Sequence, residues 1–214
     1  HDCDLLLDQN YFIDGESRYE DLVPETCTKL LGPQYALLRS EFTQARKQLK
    51  PRIGKIERVF VFFGGNDLEN VTGKTLEALS FQEFNCLDVD VVIGSHNPHL
   101  TKIERQVRTR LRTKLHVQVE NIAELMAQAD LAIGAGGATT WERMAVGLPS
   151  IVVTIAENQI PFTKNLDQEN CLHWLGRSKA VEVKELRESI LDVVAKESIN
   201  RVQSKKGMDI VRGD

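Results

Sequence analysis

Cysteine, proline, aromatics and long apolar runs are all scarce in this sequence, and neither sign of charge dominates it. The four cysteines, Cys3, Cys27, Cys86 and Cys171, form no C-x-x-C pair and none stands at zinc-finger spacing from a histidine. That spacing argues against a metal site, and scattered single thiols in an acidic chain point to a reducing cytoplasm. The longest apolar runs, such as Val59–Phe63 and Ser150–Ala156, are far too short to span a bilayer, so no membrane partner is expected. Lys and Arg number 27 against 31 Asp and Glu, a net charge of −4, which provides no global attraction to nucleic acid or anionic lipid. No signal peptide is visible, and a chain that starts at His1 instead of Met is expected to have lost its beginning.

What is present is an ordinary globular composition: 42% hydrophobic and 27% charged over 214 residues, enough for one large domain or one domain plus a remnant. Residues 1–20 carry a short apolar strand, Cys3–Asp8, followed by Gln9-Asn10-Tyr11. Residues 21–57 are punctuated by Pro24, Gly32-Pro33 and Pro51-Arg52, with only short helical patches such as Tyr35–Leu49, and read as a linker or crossing. From Val59 a regular rhythm begins. Expected strands are Val59–Phe63, Leu87–Ile93, Val117–Val119, Leu131–Ala135, Ser150–Ile155 and Ala180–Val183. Expected helices cover 71–80, Pro98 to about Thr113, Ile122–Ala129, 139–146, Phe162–Asn170 and Lys184–Lys196. Six strands alternating with helices predict an α/β fold, a Rossmann-like doubly wound parallel sheet with ligands at the carboxyl ends of its strands.

Leu131–Glu142, LAIGAGGATTWE, is the most informative stretch. An apolar strand ends in small residues and reopens as a helix near Thr139. Unpaired backbone N–H groups at such a turn make an anion site, and Gly136 and Gly137 remove side chains that would hold a phosphate off the backbone. Glu142 follows one turn into the helix, within reach of ribose hydroxyls, so a nucleoside diphosphate is the first ligand to consider. Thr139-x-x-Glu142 also fits a capping box, and both roles of Glu142 stay open. A dinucleotide fingerprint begins at Gly134-x-Gly136, but Thr139 takes its third glycine position and the motif lies late in the chain. Glu157 imitates the acidic residue of that fingerprint, so the nicotinamide reading also stays open.

The loops expected at the carboxyl ends are Gly64-Gly65-Asn66-Asp67, Gly94-Ser95-His96-Asn97, Glu120-Asn121, Gly136–Thr139 and Ala156-Glu157-Asn158-Gln159. Two carry glycine pairs, and the last is polar directly after a very apolar strand, as ligand loops are. His96, His99, His116 and His173 lack a carboxylate or hydroxyl partner at diagnostic spacing; His96, at a strand end, is the best placed. The basic run Lys102–Lys114 carries Ile103, Val107 and Leu111 at four-residue spacing and reads as a solvated helix face, not an RNA site. Trp141 and Trp174 read as packing residues, and the tail from Glu197, with Gly207 and Gly213, as poorly ordered after a helical start.

Several segments together resemble one family. They are Leu5–Asn10 (LLLDQN), Leu31-Gly32-Pro33-x-Tyr35-Ala-Leu-Leu38-Arg39-x-Glu41-Phe42, Gly64-Gly65-x-Asp67 and the run from Gly134 to Gln159. They are similar to the UDP-sugar hydrolase of pseudaminic acid biosynthesis, which removes UDP from a diacetamido-trideoxy-altrose. The resemblance runs from Asp4 to about Asp209. Gly136–Gln159 is less specific and also resembles the lipid-linked N-acetylglucosaminyltransferase of peptidoglycan synthesis, which shares the two-lobed glycosyltransferase-B architecture. On that architecture, residues 1–57 correspond to a remnant of the N-terminal lobe and the hinge. Residues 58–196 then correspond to the nucleotide-binding C-terminal lobe and 197–214 to a tail. The family's histidine base sits in a Gly-rich loop near its N-terminus that nothing here matches.

The resemblance implies a role for each matching residue. Glu142 is the ribose-binding glutamate, and Gly137, Ala138, Thr139 and Thr140 form the pyrophosphate cradle. Gly64, Gly65, Asn66 and Asp67 face the phosphates and sugar. Glu120, Asn121 and Ile122 lie where related enzymes bind uracil through the main chain. Glu157 and Gln159 belong to the polar loop near the sugar, with Asn158 orienting the attacking water or the sugar. Asp8, Gln9 and Asn10 line the cleft from the other lobe. The implied activity is hydrolysis of a UDP-sugar, with no cofactor or metal. A glycosyltransferase using the same nucleotide site and a non-catalytic nucleotide-sugar-binding module are the alternatives.

Overall fold

The computed structural model describes residues 2–15 and 17–212; His1 and Gly213 lie outside them. Two short parallel strands open the chain, β1 (Leu5–Asp8) and β2 (Thr28–Leu31), paired from Leu5↔Thr28 to Asp8↔Leu31. The remaining strands are β3 (Arg58–Phe62), β4 (Asp88–Ile93), β5 (Thr113–Val117), β6 (Leu131–Ala135), β7 (Ser150–Thr154) and β8 (His173–Arg177). They form a six-stranded sheet in the order β5-β4-β3-β6-β7-β8, parallel throughout.

The strands are apolar on both faces because both faces are covered, as parallel sheets require. Side chains alternate along each strand. Val59, Val61, Val89, Val91, Ile133 and Val153 point to the face covered by α2 (Val71–Leu79), α3 (Leu100–Thr109) and α7 (Val183–Ala195). Phe60, Val92, Ala132 and Val152 point to the other face. That face lies under α1 (Ser40–Gln48), α4 (Ile122–Gln128), α5 (Thr139–Ala145) and α6 (Ile160–Gln168).

The structure corrects several local expectations. The strand expected at Ala180–Val183 is absent; its place in the sheet is taken by His173–Arg177, which has few β-branched residues and pairs with β7 through an irregularity at Val152/Val153. Tertiary pairing overrides weak strand propensity there. The strand at Val117–Val119 ends at Val117, because Gln118 turns to φ 54°. The helix expected from Pro98 to Thr113 covers only Leu100–Thr109, so Leu111 lies beyond it and is exposed, outside the apolar stripe. Arg110 is not part of a solvated face: it is buried and donates to the carbonyls of Leu79, Phe84 and Leu87. Residues 197–210 form a full helix, α8 (Glu197–Ile210), against α5 and α7. A buried polar stripe of Asn200, Gln203 and Ser204 fixes it, with Asn200 donating to the carbonyls of Gly54 and Val193. Trp141 is a packing residue as expected, 2% exposed against Phe162.

Arg52 anchors the segment before β3. Its guanidinium donates to the carbonyls of Ala129, Met126, Ala127 and Val146, where α4 and α5 end. Burial lowers its pKa to about 10, with Asp130 opposing the shift. Arg52→Met removes these donors and strands several buried carbonyls. Urea denaturation should show a loss of about 2–4 kcal/mol.

Candidate functional site

The strand order reverses between β3 and β6, so the crevice at their carboxyl ends is the topological switch point. Both glycine pairs are delivered there: Gly64-Gly65 by β3 and Gly136-Gly137 by β6. Gly64 has φ +87°, a left-handed conformation that favours glycine. A Cβ built on Gly64 or Gly65 would meet nothing within 4 Å, so the first loop faces open space. In the second loop the Thr140 and Trp141 N–H groups already bond the Gly137 and Ala138 carbonyls. The amides left for a ligand are those of Gly137, Ala138 and Thr139, since the first N–H groups of a helix have no intrahelical acceptor. Thr140 therefore does not offer its N–H to the cradle, and its side chain is buried.

Glu142 stands one turn beyond, its side chain 17% exposed. The capping box is not formed: Ala138 is the N-cap of α5, no side chain caps it, and the Thr139 hydroxyl oxygen accepts from Arg143. What Glu142 does meet is Arg39, whose Nη2 lies 3.3 Å from its Oε1 and whose Nη1 pairs with Glu41 at 2.8 Å. Burial raises the Glu142 pKa, while Arg39 opposes that shift.

The other expected site residues divide. Asn66 and Asn158 are exposed, and Asn158 takes no hydrogen bond from the described residues. Gln159 bridges two loops: its Oε1 accepts from the Ile155 N–H, and its Nε2 lies 3.5 Å from the Cβ position of Gly137. Glu157 is exposed and pairs with Arg177 at 3.0 Å. Asp67 serves α2 instead of the open side of its loop: it is 4% exposed, and its carboxylate accepts from the Val71 and Thr72 N–H groups. Asn121 is exposed at the start of α4 and donates to Glu124, whereas the Ile122 side chain is buried in the core, so only the Ile122 main chain is open to a base. Gln9 accepts from the Leu37 N–H, two residues before Arg39, which ties it to the Glu142 side of the crevice. Asn10 is not in that group: it donates to Asp8 and lines a separate cavity of about 910 Å³ with Tyr19, Lys29 and Tyr35.

Two histidines have carboxylate partners that spacing did not reveal. His116 lies 2.8 Å from Asp90 and His173 lies 3.9 Å from Asp167. His96 meets the Ser95 hydroxyl, at 3.1 Å. Among the described residues no group of three or more His, Cys, Asp or Glu is arranged to hold a metal ion, and no helix is long and apolar enough to cross a membrane.

Sequence reasoning missed Arg143. It is 1% exposed, directly under the second glycine loop. Its Nη2 donates to the Ala135 carbonyl at 2.9 Å and to Thr140 Oγ1 at 3.1 Å, and its Nη1 donates to Thr139 Oγ1 at 3.2 Å. Nothing in the local pattern marks it, because an arginine on a helix is ordinarily exposed.

The glycosyltransferase family 28 C-terminal domain matches residues 58–210, the six-stranded sheet with all its covering helices except α1. The chain belongs to that family. It is 29% identical over 183 residues to the UDP-2,4-diacetamido-2,4,6-trideoxy-beta-L-altropyranose hydrolase of Campylobacter jejuni, covering 86% of this chain and 60% of the relative. The spore coat polysaccharide biosynthesis protein SpsG of Bacillus subtilis is 26% identical, over 85% of this chain and 54% of the relative. The family 28 chain thus spans little more than half the length of these relatives. Among solved structures, WaaG, a glycosyltransferase of lipopolysaccharide biosynthesis, superposes with a TM-score of 0.59 at 15% identity, over 83% of this chain and 48% of WaaG. The spinosyn rhamnosyltransferase SpnG, complexed with thymidine diphosphate, superposes at 0.55 with 18% identity, over 76% and 44%. These neighbours establish the expected fold, a parallel α/β sheet of the glycosyltransferase-B kind.

Proposed function

We propose that this chain is the nucleotide-binding part of a UDP-sugar hydrolase acting in nonulosonic acid or related polysaccharide biosynthesis in the cytoplasm. The observation that carries the reading is the meeting of two glycine loops and Glu142 at the switch point of the sheet. The diphosphate lies against the amides of Gly137, Ala138 and Thr139, Glu142 accepts from the ribose hydroxyls, and the base stacks near the main chain of Asn121 and Ile122. Gly64, Gly65 and Asn66 close over the phosphates and sugar. In the reaction the oxygen of a water forms a bond to the anomeric carbon as the bond to the diphosphate oxygen breaks, and the water's proton passes to a base. The amides stabilise the charge that develops on departing UDP, and Asn158 orients the water. Residues 1–57 supply the hinge and part of a second lobe, which holds the sugar and the base.

The Campylobacter relative, a UDP-sugar hydrolase, supports this reading. The family 28 match and the glycosyltransferase neighbours favour a second one, in which an alcohol acceptor replaces the water. Calorimetry on residues 1–214 should show UDP binding more tightly than ADP or NAD. Preferential binding of NAD would overturn the reading and restore the dinucleotide alternative.

A further inference from the structure

Arg143 is a cation in the wrong place for an ordinary arginine. Its side chain is almost wholly buried, it makes no salt bridge among the described residues, and its Nε has no hydrogen-bond partner. Its hydrogen-bond partners among the described residues are neutral oxygens on either side of the glycine loop: the Ala135 carbonyl at the end of β6 and the hydroxyls of Thr139 and Thr140 in the first turn of α5. An unpaired buried charge is costly and persists where something compensates for it. Gly134 makes the space. A Cβ on Gly134 would lie 2.5 Å from the Phe62 carbonyl oxygen and 3.0 Å from Arg143 Nη1. The guanidinium therefore fills the gap between the ends of β6 and β3, at the switch point itself. A second polar group under the same loop is orphaned: Thr163 Oγ1, buried and without a partner, sits 2.8 Å from the Cβ position of Gly136.

We propose that Arg143 is a positioning residue for the anionic part of the ligand, a fixed cation beneath the loop of residues 135–140 whose charge Glu142 offsets only from a distance, without an ion pair, and the bound diphosphate complements. The inference rests on the nucleotide reading above for the identity of the ligand, but not for its charge. Arg143 touches no ligand; it pins the oxygens of Ala135, Thr139 and Thr140, which orients the open amides, and it supplies a positive field through a poorly solvated layer where charges are weakly screened. Arginine suits this role because it stays protonated when desolvated: burial lowers its pKa only to about 10, with Glu142 opposing the shift.

The test uses residues 1–214 and follows UDP, uridine and inorganic pyrophosphate by NMR chemical-shift titration, which reads millimolar affinities. Arg143→Gln should weaken UDP and pyrophosphate by about tenfold or more and change uridine less than twofold. Arg143→Lys keeps the charge but places an ammonium that sheds its proton readily when buried. Its affinity for UDP should fall as pH rises from 7 to 9, while the unsubstituted protein stays flat. The charged group acting on Arg143 is Glu142 on the same helix, which itself meets Arg39 beside Glu41; all are common to both proteins and cancel in the comparison. Equal losses of UDP and uridine, unchanged affinities in Arg143→Gln, or a flat profile in Arg143→Lys would each overturn the inference. If Arg143→Gln does not fold, the Arg143→Lys profile decides alone, read with pyrophosphate if UDP does not bind. Failure of the unsubstituted protein to bind pyrophosphate also overturns it. Binding of pyrophosphate without UDP or uridine instead sinks the nucleotide reading and leaves the Arg143 comparison intact.

Discussion

Glu142→Gln is expected to weaken UDP binding by about tenfold or more, through loss of charge-assisted hydrogen bonds to the ribose. The structure removes the competing explanation of such a result. Glu142 caps nothing, since Ala138 is the N-cap of α5 and no side chain bonds back to it. The substitution should therefore leave the melting temperature unchanged or slightly raised, because it replaces a half-buried charge by a neutral amide of the same shape. Arg39 keeps its second partner, Glu41, in the variant.

The pH dependence follows from the same burial. Because burial raises the Glu142 pKa above its unfolded-chain value, the folded protein favours the protonated form. That contribution to stability is present below the unfolded-chain pKa and is lost as pH rises through the folded-state pKa. The proposed ribose contact needs the ionised form, so UDP affinity should fall on acidification through the raised pKa, and this component should vanish in Glu142→Gln. A UDP affinity within error of the unsubstituted protein would count against the ribose role.

Asn158→Ala in a whole protein containing both lobes is expected to lower turnover by about a hundredfold, the scale of a misplaced reactant, while UDP affinity stays within about twofold. Asn158 is exposed and takes no hydrogen bond from the described residues, so its amide is available to a water or sugar and carries no structural duty. The amides proposed to hold the diphosphate, those of Gly137, Ala138 and Thr139, lie in another loop and remain intact. The assay is release of UDP from the amino-sugar nucleotide, with and without an alcohol acceptor. Equal losses in turnover and UDP affinity would make Asn158 a nucleotide contact instead. Release that requires the acceptor would favour the transferase reading. Residues 1–214 alone should bind UDP without turnover, because a general base contributes about 10²–10⁴-fold and, on the proposed reading, it is held by the other lobe. Full-rate hydrolysis by these residues would point first to His96.

Much of the scaffold could be read from local pattern. Apolar runs of five or six residues, punctuated by glycine and interleaved with helical segments, located β3, β4, β6 and β7 within a residue at each end, and with them both glycine loops. Parallel strands buried on both faces leave that signature in sequence whatever their neighbours are. β8 escaped because His-Trp-Leu-Gly-Arg becomes a strand only through its pairing with β7. α8 escaped because a stripe of Asn200, Gln203 and Ser204 is stable only against the helices it meets.

The sequence by itself determined which chemistry-bearing residues lie at the carboxyl ends of the strands, since strand periodicity and glycine turns are local properties. Tertiary structure alone decided what each of them is free to do. Asp67 is held by α2, Asn10 by Asp8, and the Thr140 amide by Gly137. Glu142 is released from its capping box and held by an arginine 103 residues away. Arg143 is drawn under the loop into the space left by Gly134. Hydrogen-bond partnership and the burial of charge depend on neighbours distant in sequence, so no local pattern encodes them.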